Sequence, residues 1–328
     1  MVMIFGIFMT SILSELNDCW VYLQEYVDIT KLTSFGTRAR ARYFLEFTSR
    51  SDILVLPDIL RWTTKHHIPV FFLWWWSNTL FATDCFEGLI ILNHSKGKQS
   101  LGDNRFSLVS GEMVSSWSIE MTRSGIPTLM PWIGLPGTVG GAVVGNAGCF
   151  GLETSDILKS AEILDIYTWQ VRQYSVEELA YVYRSSFLKS HPELFILSAI
   201  FDLTPPDHEI IDARIHRKTK QPGWRSCGSF FKNPSPQYAG ALLESVWAKS
   251  YSCGGVAISQ SHANFFINDG TATWQQIIAL ALHVRSLVYS KYSISLHHEV
   301  VIVGTHGITT LSHYETSKIS LPTVSSIA

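Results

Sequence analysis

A run of glycines in the middle of the chain constrains the fold more than any other feature. Eight glycines lie between residues 125 and 152, at Gly125, Gly134, Gly137, Gly140, Gly141, Gly145, Gly148 and Gly151. Glycine at this density is typical of backbone that needs positive φ or a close approach to a ligand. The spacing matches neither the dinucleotide fingerprint nor the phosphate-binding P-loop. Consecutive backbone N–H groups here could hold a pyrophosphate, and a tight structural turn is the alternative.

The composition indicates a globular protein of two or three subdomains. The chain has 328 residues, of which 46% are hydrophobic and 16% are charged, so it can bury sizeable cores. A net charge of −2 provides no general attraction for nucleic acid or an anionic membrane. The five cysteines are scattered without a C-x-x-C pair, which argues against a zinc site or a disulfide framework. We therefore expect a cytoplasmic protein. We also expect a monomer, which the composition itself does not establish.

The N-terminus is apolar but does not match a signal peptide. Residues 1–13 carry no charge, and no Lys or Arg occurs before Lys31, so a basic n-region is missing. Thirteen residues are also too few to span a bilayer. We expect residues 1–30 to form a poorly defined extension.

Apolar periodicity along the rest of the chain predicts a mixed α+β fold. The best helix is Thr273 to Tyr289, where Thr273 and Gln276 form a capping box. Strands are predicted at residues 43–47, 70–73, 89–92, 161–166, 194–203 and 300–303. The polar residues 96–99 and the Pro205-Pro206 pair mark subdomain borders.

Several ordered blocks resemble the UDP-N-acetylenolpyruvoylglucosamine reductase family. The first block is the glycine segment 133–142 with Gly145-Asn146-Ala147-Gly148. The others are Tyr183-Arg184-Ser185-Ser186-Phe187, residues 228–234 (GSFFKNP), residues 262–268 (HANFFIN) and residues 296–300 (LHHEV). The resemblance covers about residues 32–304, and the short connection from Phe187 to Pro222 is similar to the shorter subgroup of the family.

The resemblance implies a flavin-binding fold of the vanillyl-alcohol-oxidase (PCMH) type with a separate C-terminal substrate-binding domain. It places FAD-binding subdomains at residues 31–95 and 96–205, a substrate-binding domain at 206–304 and a loose tail at 305–328. It implies NADPH-dependent, FAD-mediated reduction of UDP-N-acetylglucosamine enolpyruvate to UDP-N-acetylmuramate, a step of peptidoglycan precursor synthesis. No metal is implied.

The resemblance also assigns cofactor-binding positions, in two loops and one later residue. The first loop comprises Trp74, Trp75, Trp76, Ser77, Asn78 and Thr79. The second comprises Gly134, Pro136, Gly137, Thr138, Gly140, Gly141, Asn146 and Gly148. Arg217 matches a flavin-contacting position.

Three residues match the reacting groups of the family. Ser229 matches the proton donor, which needs neighbours that stabilise its alkoxide, and Lys232 or a water could assist. Arg184 and Glu299 match the pair that polarises the substrate carboxylate, because a guanidinium holds a carboxylate with two parallel bonds. Without the surrounding blocks, Ser229 would be interpreted as a turn residue and the other two as surface charges.

Substrate-holding positions are matched by Tyr183, Lys220 and Asn233, with Lys220 facing the diphosphate. The pairs His66-His67 and His297-His298 lack metal-ligand spacing with a carboxylate and are interpreted as structural or surface residues.

Tryptophans occupy positions where the family has glycine. Trp74, Trp75 and Trp76 replace three small residues in the first flavin loop, and Trp247 replaces another glycine. Indoles would block a pyrophosphate and disfavour positive φ. One hypothesis explains all four: UGA codons that encode glycine were translated as tryptophan. Arg38, Ala39 and Val301 also depart from the family and are not explained this way.

Two other functions remain open. A flavin oxidase of the same fold would act on alcohols or sugars with oxygen. A degenerate relative would keep the fold without flavin or catalysis.

Overall fold

The structure, a computed structural model, describes residues 23–73, 78–207, 209–214, 225–317 and 319–326. Contacts between Cα atoms divide the chain into two compact units, each assembled from three segments. The first unit comprises Met1–Glu25, Tyr43–Trp74 and Leu89–Arg214. The second comprises Tyr26–Arg42, Trp75–Gly88 and Ile215–Ala328. The predicted domains follow chain order, whereas residues 26–42 and 75–88 group with the C-terminal part of the chain.

Helices and strands are interspersed along the described chain. The α-helices are α1 (Leu56–Lys65), α2 (Val114–Arg123), α3 (Val139–Gly145), α4 (Thr154–Ile157), α5 (Ala239–Ser245), α6 (Trp274–Tyr292) and α7 (Leu311–Thr316). The strands are β1 (Gln24–Asp28), β2 (Arg40–Phe47), β3 (Val70–Leu73), β4 (Thr79–Phe81), β5 (Cys85–Asn93), β6 (Lys98–Gly102), β7 (Arg105–Val109), β8 (Gly148–Cys149), β9 (Leu152–Glu153), β10 (Leu158–Asp165), β11 (Val171–Ser175), β12 (Leu194–Asp202), β13 (Tyr251–Cys253), β14 (Val256–Ile258), β15 (Phe266–Asn268), β16 (Val301–Gly304), β17 (Gly307–Thr309) and β18 (Ser325–Ser326). Short 3₁₀ helices lie at residues 30–32, 50–55, 127–132, 187–190 and 248–250.

The first unit is built around an antiparallel sheet of five strands in the order β11-β10-β12-β7-β6. Helix α3 packs against this sheet, and its Val139 and Val143 share an apolar core with Leu108, Ile163 and Ile196. All five side chains are essentially inaccessible to solvent. Burial of this apolar surface is the main force that holds the glycine-containing helix in place.

A second core in the same unit lies where β3 pairs with β5 in parallel, in a sheet of order β1-β2-β5-β3. Helix α1 covers it with Leu56 and Ile59, both fully buried. Phe195 contacts the rings of Phe47 and Phe72 at centroid separations of 6.4 and 5.2 Å. The predicted strands at residues 70–73 and 89–92 are confirmed.

The second unit contains the sheet β15-β14-β13-β18 and the smaller sheet β17-β16-β4. Its core gathers Phe230, Phe231 and Phe266 against helix α6. That helix begins as predicted, because the Thr273 hydroxyl accepts a hydrogen bond from the Gln276 amide and Gln276 binds back to the Thr273 amide. This reciprocal cap satisfies two amides that would otherwise lack partners.

The C-terminal tail differs from its prediction as a loose segment. Residues 311–316 form α7, in which Leu311 and Tyr314 are buried. The Tyr314 hydroxyl donates a hydrogen bond to the Ala82 carbonyl at 3.2 Å. Two apolar anchors among many Ser and Thr residues therefore order this segment, although its composition is typical of loose tails.

Within the described ranges, no helix is long and apolar enough to cross a membrane. The same residues contain no group of three or more His, Cys, Asp or Glu side chains placed to hold a metal ion.

Candidate functional site

The segment that carries Ser229 pairs with backbone on both of its edges. On one edge, Ser229 bridges to Phe265, and the Phe230 amide donates to the Asn264 carbonyl at 2.8 Å. On the other edge, the Glu299 amide donates to the Phe230 carbonyl, also at 2.8 Å. The structure therefore brings the two predicted catalytic residues Ser229 and Glu299 onto neighbouring, hydrogen-bonded segments of backbone.

Glu299 is also linked to the first predicted cofactor loop. Its carbonyl accepts a hydrogen bond from the Asn78 side-chain amide at 3.1 Å. Just beyond it, β16 pairs in parallel with β4, so Val301 lies opposite the predicted cofactor residue Thr79. Both peptide groups of Glu299 are thus fixed, one by the Ser229 segment and one by Asn78.

An imidazole lies beside Glu299 in the chain. The ring of His298 binds the Val300 carbonyl through Nδ1 at 2.7 Å. Burial lowers the pKa of His298 below its ordinary value, and the positive charges of Lys232, His297 and Arg285 lower it further. The hydrogen bond to the Val300 carbonyl opposes this shift without cancelling it, so the His298 ring is protonated less readily than a free imidazole.

Arg184 occupies a tight turn in the first unit. Val182 and Ser185 exchange both backbone hydrogen bonds at 3.0 Å, and Arg184 adopts φ +56° between them. Its guanidinium donates to the Gly148 carbonyl at 2.6 Å, and pairs with Glu153 at 3.4 Å. The guanidinium carbon also lies 5.0 Å from the centre of the Tyr183 ring. The structure thus joins predicted catalytic, substrate and cofactor positions.

Only part of the predicted glycine loop is a loop, because its second part is helical. Residues 139–145 form helix α3, whose cap is the Thr138 hydroxyl, an acceptor for the Gly141 amide at 3.3 Å. The Val139 and Gly140 amides donate to the carbonyls of Glu112 and Ser110, both at 2.8 Å. Internal acceptors therefore already occupy the first amides of this helix, including those of the predicted cofactor residues Gly140 and Gly141.

The loop before the helix contains two glycines in the left-handed backbone conformation. Gly134 and Gly137 adopt φ +78° and +109°, the left-handed region that favours glycine. Pro136 lies between them, and no charged side chain occurs from Ile133 to Val139. Backbone of this kind permits close approach of an anion. The Gly134 and Leu135 amides, however, already donate to the Ser115 hydroxyl at 2.9 Å and the Trp132 carbonyl at 2.8 Å.

Asn146 and Gly148 shape the far end of this helix. Asn146 ends α3 in a left-handed conformation, and its side chain binds Glu153, the Val182 carbonyl and the Ser155 amide. A β-carbon at Gly148 would lie 2.7 Å from the Leu152 carbonyl oxygen, so no larger residue fits. In this structure both positions organise the protein around Arg184.

Of the remaining predicted positions, Tyr183 and Asn233 are described, and the others lie outside the described residues. Tyr183 is exposed, and the Asn233 side chain accepts a hydrogen bond from the Ala239 amide at 3.0 Å. Outside the described ranges are Trp74, Trp75, Trp76, Ser77, Arg217 and Lys220.

Sequence reasoning missed two residues that hold the predicted ones. Glu153 pairs with Arg184 and Asn146, and Asn264 binds both backbone groups of Phe231. Asn264 lies inside the block at residues 262–268, so a buried amide within an apolar run was an available indication. Glu153 offered none, because its partners become close only through the fold.

Comparisons with known proteins show what the chain is similar to. Residues 219–303 match the family model described as UDP-N-acetylenolpyruvoylglucosamine reductase, C-terminal domain. A reductase of that name from Synechococcus sp. (strain WH7803) is 34% identical, with 90% of this chain and 97% of the relative covered. One from Chlamydia trachomatis serovar L2 is also 34% identical, covering 86% of this chain and 96% of the relative.

A solved structure extends the likeness to the fold. The crystal structure of UDP-N-acetylenolpyruvylglucosamine reductase (MurB) from Thermus caldophilus superposes with a TM-score of 0.69 at 25% identity. The match covers 86% of this chain and 99% of that one. The predicted fold class, an α+β flavin-binding fold of the vanillyl-alcohol-oxidase type, is confirmed.

Proposed function

Because the chain belongs to the UDP-N-acetylenolpyruvoylglucosamine reductase family, we propose that it reduces UDP-N-acetylglucosamine enolpyruvate to UDP-N-acetylmuramate. It uses FAD and NADPH, acts as a cytoplasmic monomer and supplies a precursor of peptidoglycan. FAD, when bound, provides the hydride chemistry, with NADPH as the electron source. The predicted domains would divide this work, with residues 31–205 holding the flavin and residues 206–304 the sugar.

The observation that carries the proposal is the pairing of the Ser229 segment with Glu299, whose amide binds the Phe230 carbonyl at 2.8 Å. Reduction of an enolpyruvyl group places negative charge on the carbon next to the carboxylate, and that carbon then needs a proton. A hydroxyl and a carboxyl group on neighbouring backbone segments of one unit are suited to this step. Ser229 delivers the proton, and Glu299, in its protonated form, donates a hydrogen bond to the substrate carboxylate where charge builds up.

Arg184 is the second residue predicted to polarise the substrate carboxylate, together with Glu299. Its guanidinium presents donors in a planar fork, and Gly148, Asn146 and Glu153 already fix its orientation. A side chain fixed before the substrate binds loses less conformational entropy on binding. The role itself rests on the family resemblance, and the contacts support it by restraining the side chain.

A half-reaction experiment tests the function. Purified protein is reduced anaerobically with NADPH, its flavin absorption is followed, and the enolpyruvyl sugar or oxygen is then added. Reoxidation by the sugar with formation of UDP-N-acetylmuramate is the expected result. Reoxidation by oxygen alone would identify a flavin oxidase instead, and a colourless protein that binds no FAD would identify a non-catalytic relative.

A further inference from the structure

Asn264 is a buried side chain whose amide group pairs with both backbone groups of one residue, Phe231, in a neighbouring segment. Its Oδ1 accepts from the Phe231 amide at 2.9 Å, and its Nδ2 donates to the Phe231 carbonyl at 2.8 Å. Only 2% of the Asn264 surface is exposed. A side-chain amide used in this way takes the place of an adjacent strand.

Phe231 lies two residues after Ser229, in a segment whose backbone is hydrogen-bonded on both edges. Toward one edge the Asn264 carbonyl binds the Phe230 amide, and toward the other the Lys232 amide binds the His297 carbonyl at 2.8 Å. A shift of this segment by one residue would displace Ser229 by about 3.3 Å and turn its side chain to the opposite face. Its position relative to Glu299 therefore depends on the register.

Hydrophobic pattern fixes that register only in part. Strand register is normally set by alternation, because a slip brings polar residues into the core. Here Phe230 and Phe231 are consecutive, and both are buried, at 0% and 1% exposure. A one-residue slip would keep a phenylalanine at one of the two buried sites and bring Ser229 or Lys232 to the other. The apolar core therefore opposes the slip at one site only, and a directional contact adds to its discrimination.

We propose that Asn264 is a positioning residue that sets the register of the Ser229 segment against Glu299. This inference rests on the proposed reduction for its catalytic consequence. The structural part of the inference, that Asn264 fixes the register, does not depend on the proposed reduction. It has its own measurement.

The experiment compares Asn264→Ala with Asn268→Ala. Asn268 is a matched control in the same unit: it is 1% exposed, and its side chain binds the Phe35 carbonyl and the Gly270 and Ala272 amides. We expect both variants to unfold at similarly lowered temperatures. Only Asn264→Ala should lower kcat, by about a hundredfold, the loss that a misplacement of about 1 Å can cause. Reduction of its flavin by NADPH should be unchanged.

Amide hydrogen exchange provides a readout that does not need the cofactor. Asn264→Ala should accelerate exchange at Phe231, Lys232 and Glu299, whereas Asn268→Ala should accelerate it at Gly270 and Ala272. Equal losses of kcat in the two variants, or unchanged exchange at Glu299 in Asn264→Ala, would overturn the inference. If the alanine variants do not fold, Asn264→Asp and Asn268→Asp are judged by the same criteria. A wild-type protein inactive on the sugar would reject the proposed function, and exchange would still decide the role of Asn264.

A separate observation concerns the tryptophans. The six described tryptophans form two groups. Trp62, Trp117, Trp132 and Trp274 are buried, with at most 8% exposure, and none has positive φ. Trp169 and Trp247 are 38% and 78% exposed and adopt φ +60° and +59°.

Both exposed tryptophans occupy places where glycine is favoured. Trp247 follows helix α5 just beyond its cap residue Val246, in the left-handed position that commonly ends a helix, and its amide binds the Glu244 carbonyl at 3.0 Å. Trp169 lies in the turn between β10 and β11, where the Asp165 carboxylate accepts from the Tyr167 and Thr168 amides. The Trp169 amide donates a hydrogen bond to the Asp165 carbonyl at 2.8 Å. Turns of this kind need left-handed backbone at this position.

From this geometry we infer that residues 169 and 247 are glycine in the natural protein and that UGA codons specify both. The tryptophan hypothesis at residue 247 thereby extends to residue 169. The codons themselves test it, with UGA expected at 169 and 247, and UGG at 62, 117, 132 and 274. UGG at either of the first two positions overturns the inference for that position.

Stability of the protein gives a second test. Trp169→Gly and Trp247→Gly should each raise the folded-to-unfolded ratio by about fivefold to thirtyfold, because left-handed backbone strains residues that have a β-carbon. Trp169→Ala and Trp247→Ala keep the β-carbon and should raise it less, which separates backbone strain from removal of the indole. Trp117→Gly should lower the ratio. Glycine variants no more stable than their alanine counterparts would contradict the strain argument.

Discussion

The guanidinium of Arg184 donates a hydrogen bond to the carbonyl oxygen of Gly148, with an Nη2–O distance of 2.6 Å. The contact joins the glycine-rich segment to a side chain with a predicted role at the substrate carboxylate. Gly148 can hold its carbonyl there because it has no side chain: a β-carbon would lie 2.7 Å from the Leu152 oxygen and 2.8 Å from Glu153 Cγ. The absence of a side chain at Gly148 is thus needed for the contact.

Gly148→Ala is therefore expected to disturb Arg184 as well as the local fold. Overpacking of this kind costs about 1–3 kcal/mol of unfolding free energy, and the displaced carbonyl should raise the KM for the sugar. Denaturant unfolding and steady-state kinetics measure the two effects. Gly151→Ala is the control, because its β-carbon would meet nothing within 4 Å and only its φ of +82° is unfavourable. Equal KM values for the two variants would exclude the link to Arg184.

Arg184→Lys should lower activity although it keeps the charge. An ammonium group cannot reproduce the planar fork that reaches Gly148 and Glu153 together. We expect kcat/KM for the enolpyruvyl sugar to fall by about tenfold to a thousandfold, equivalent to about 1.4–4 kcal/mol. Arg172→Lys is a matched control, since Arg172 also lies over a tyrosine, at 4.0 Å from Tyr174, and its side chain is 59% exposed. Similar kinetics in both variants would reject the special role of Arg184.

Ser229→Ala should block proton delivery while leaving the NADPH step intact. General acid catalysis contributes about a hundredfold to ten-thousandfold to rate, so reoxidation of the flavin by the sugar should slow by that factor. Stopped-flow absorbance separates this phase from reduction by NADPH. Ser286→Ala, on the exposed face of α6 in the same unit, should leave both phases unchanged. Normal reoxidation in Ser229→Ala would show that another group supplies the proton.

The second unit should lose stability as the pH falls below neutrality. Burial lowers the folded-state pKa of His262, His283 and His298 from an ordinary value of 6.5. The unfolded chain then binds more protons than the folded chain below about pH 6.5, so stability is present above that pH and declines as the pH falls toward the folded pKa values. His298→Gln should flatten the decline measured by denaturant titration at several pH values. An unchanged slope would place the cause elsewhere.

The sequence motifs predict more of the candidate site than apolar periodicity does, and the reason is physical. Helix α6 was predictable because its cap lies within four consecutive residues, Thr273 to Gln276. The pairing of Phe230 with Glu299 was not, since it joins distant parts of the chain through strand register. The glycine segment misled in part: its glycines also allow α3 to pack closely in a core, where its first amides bind Ser110 and Glu112.

The ordered tail provides the last prediction. Leu311 is 1% exposed in the core of the second unit, so Leu311→Ala should lower the free energy of unfolding by about 2–5 kcal/mol, through lost apolar contact and a residual cavity. Ile308→Ala is the control, because Ile308 lies three residues earlier and is 71% exposed. It should change stability by no more than about 0.5 kcal/mol, as is usual for surface positions. Denaturant unfolding measures both, and equal small changes would indicate that α7 does not anchor the tail. A large change confined to Leu311→Ala would mean that truncation near residue 305 removes part of the core.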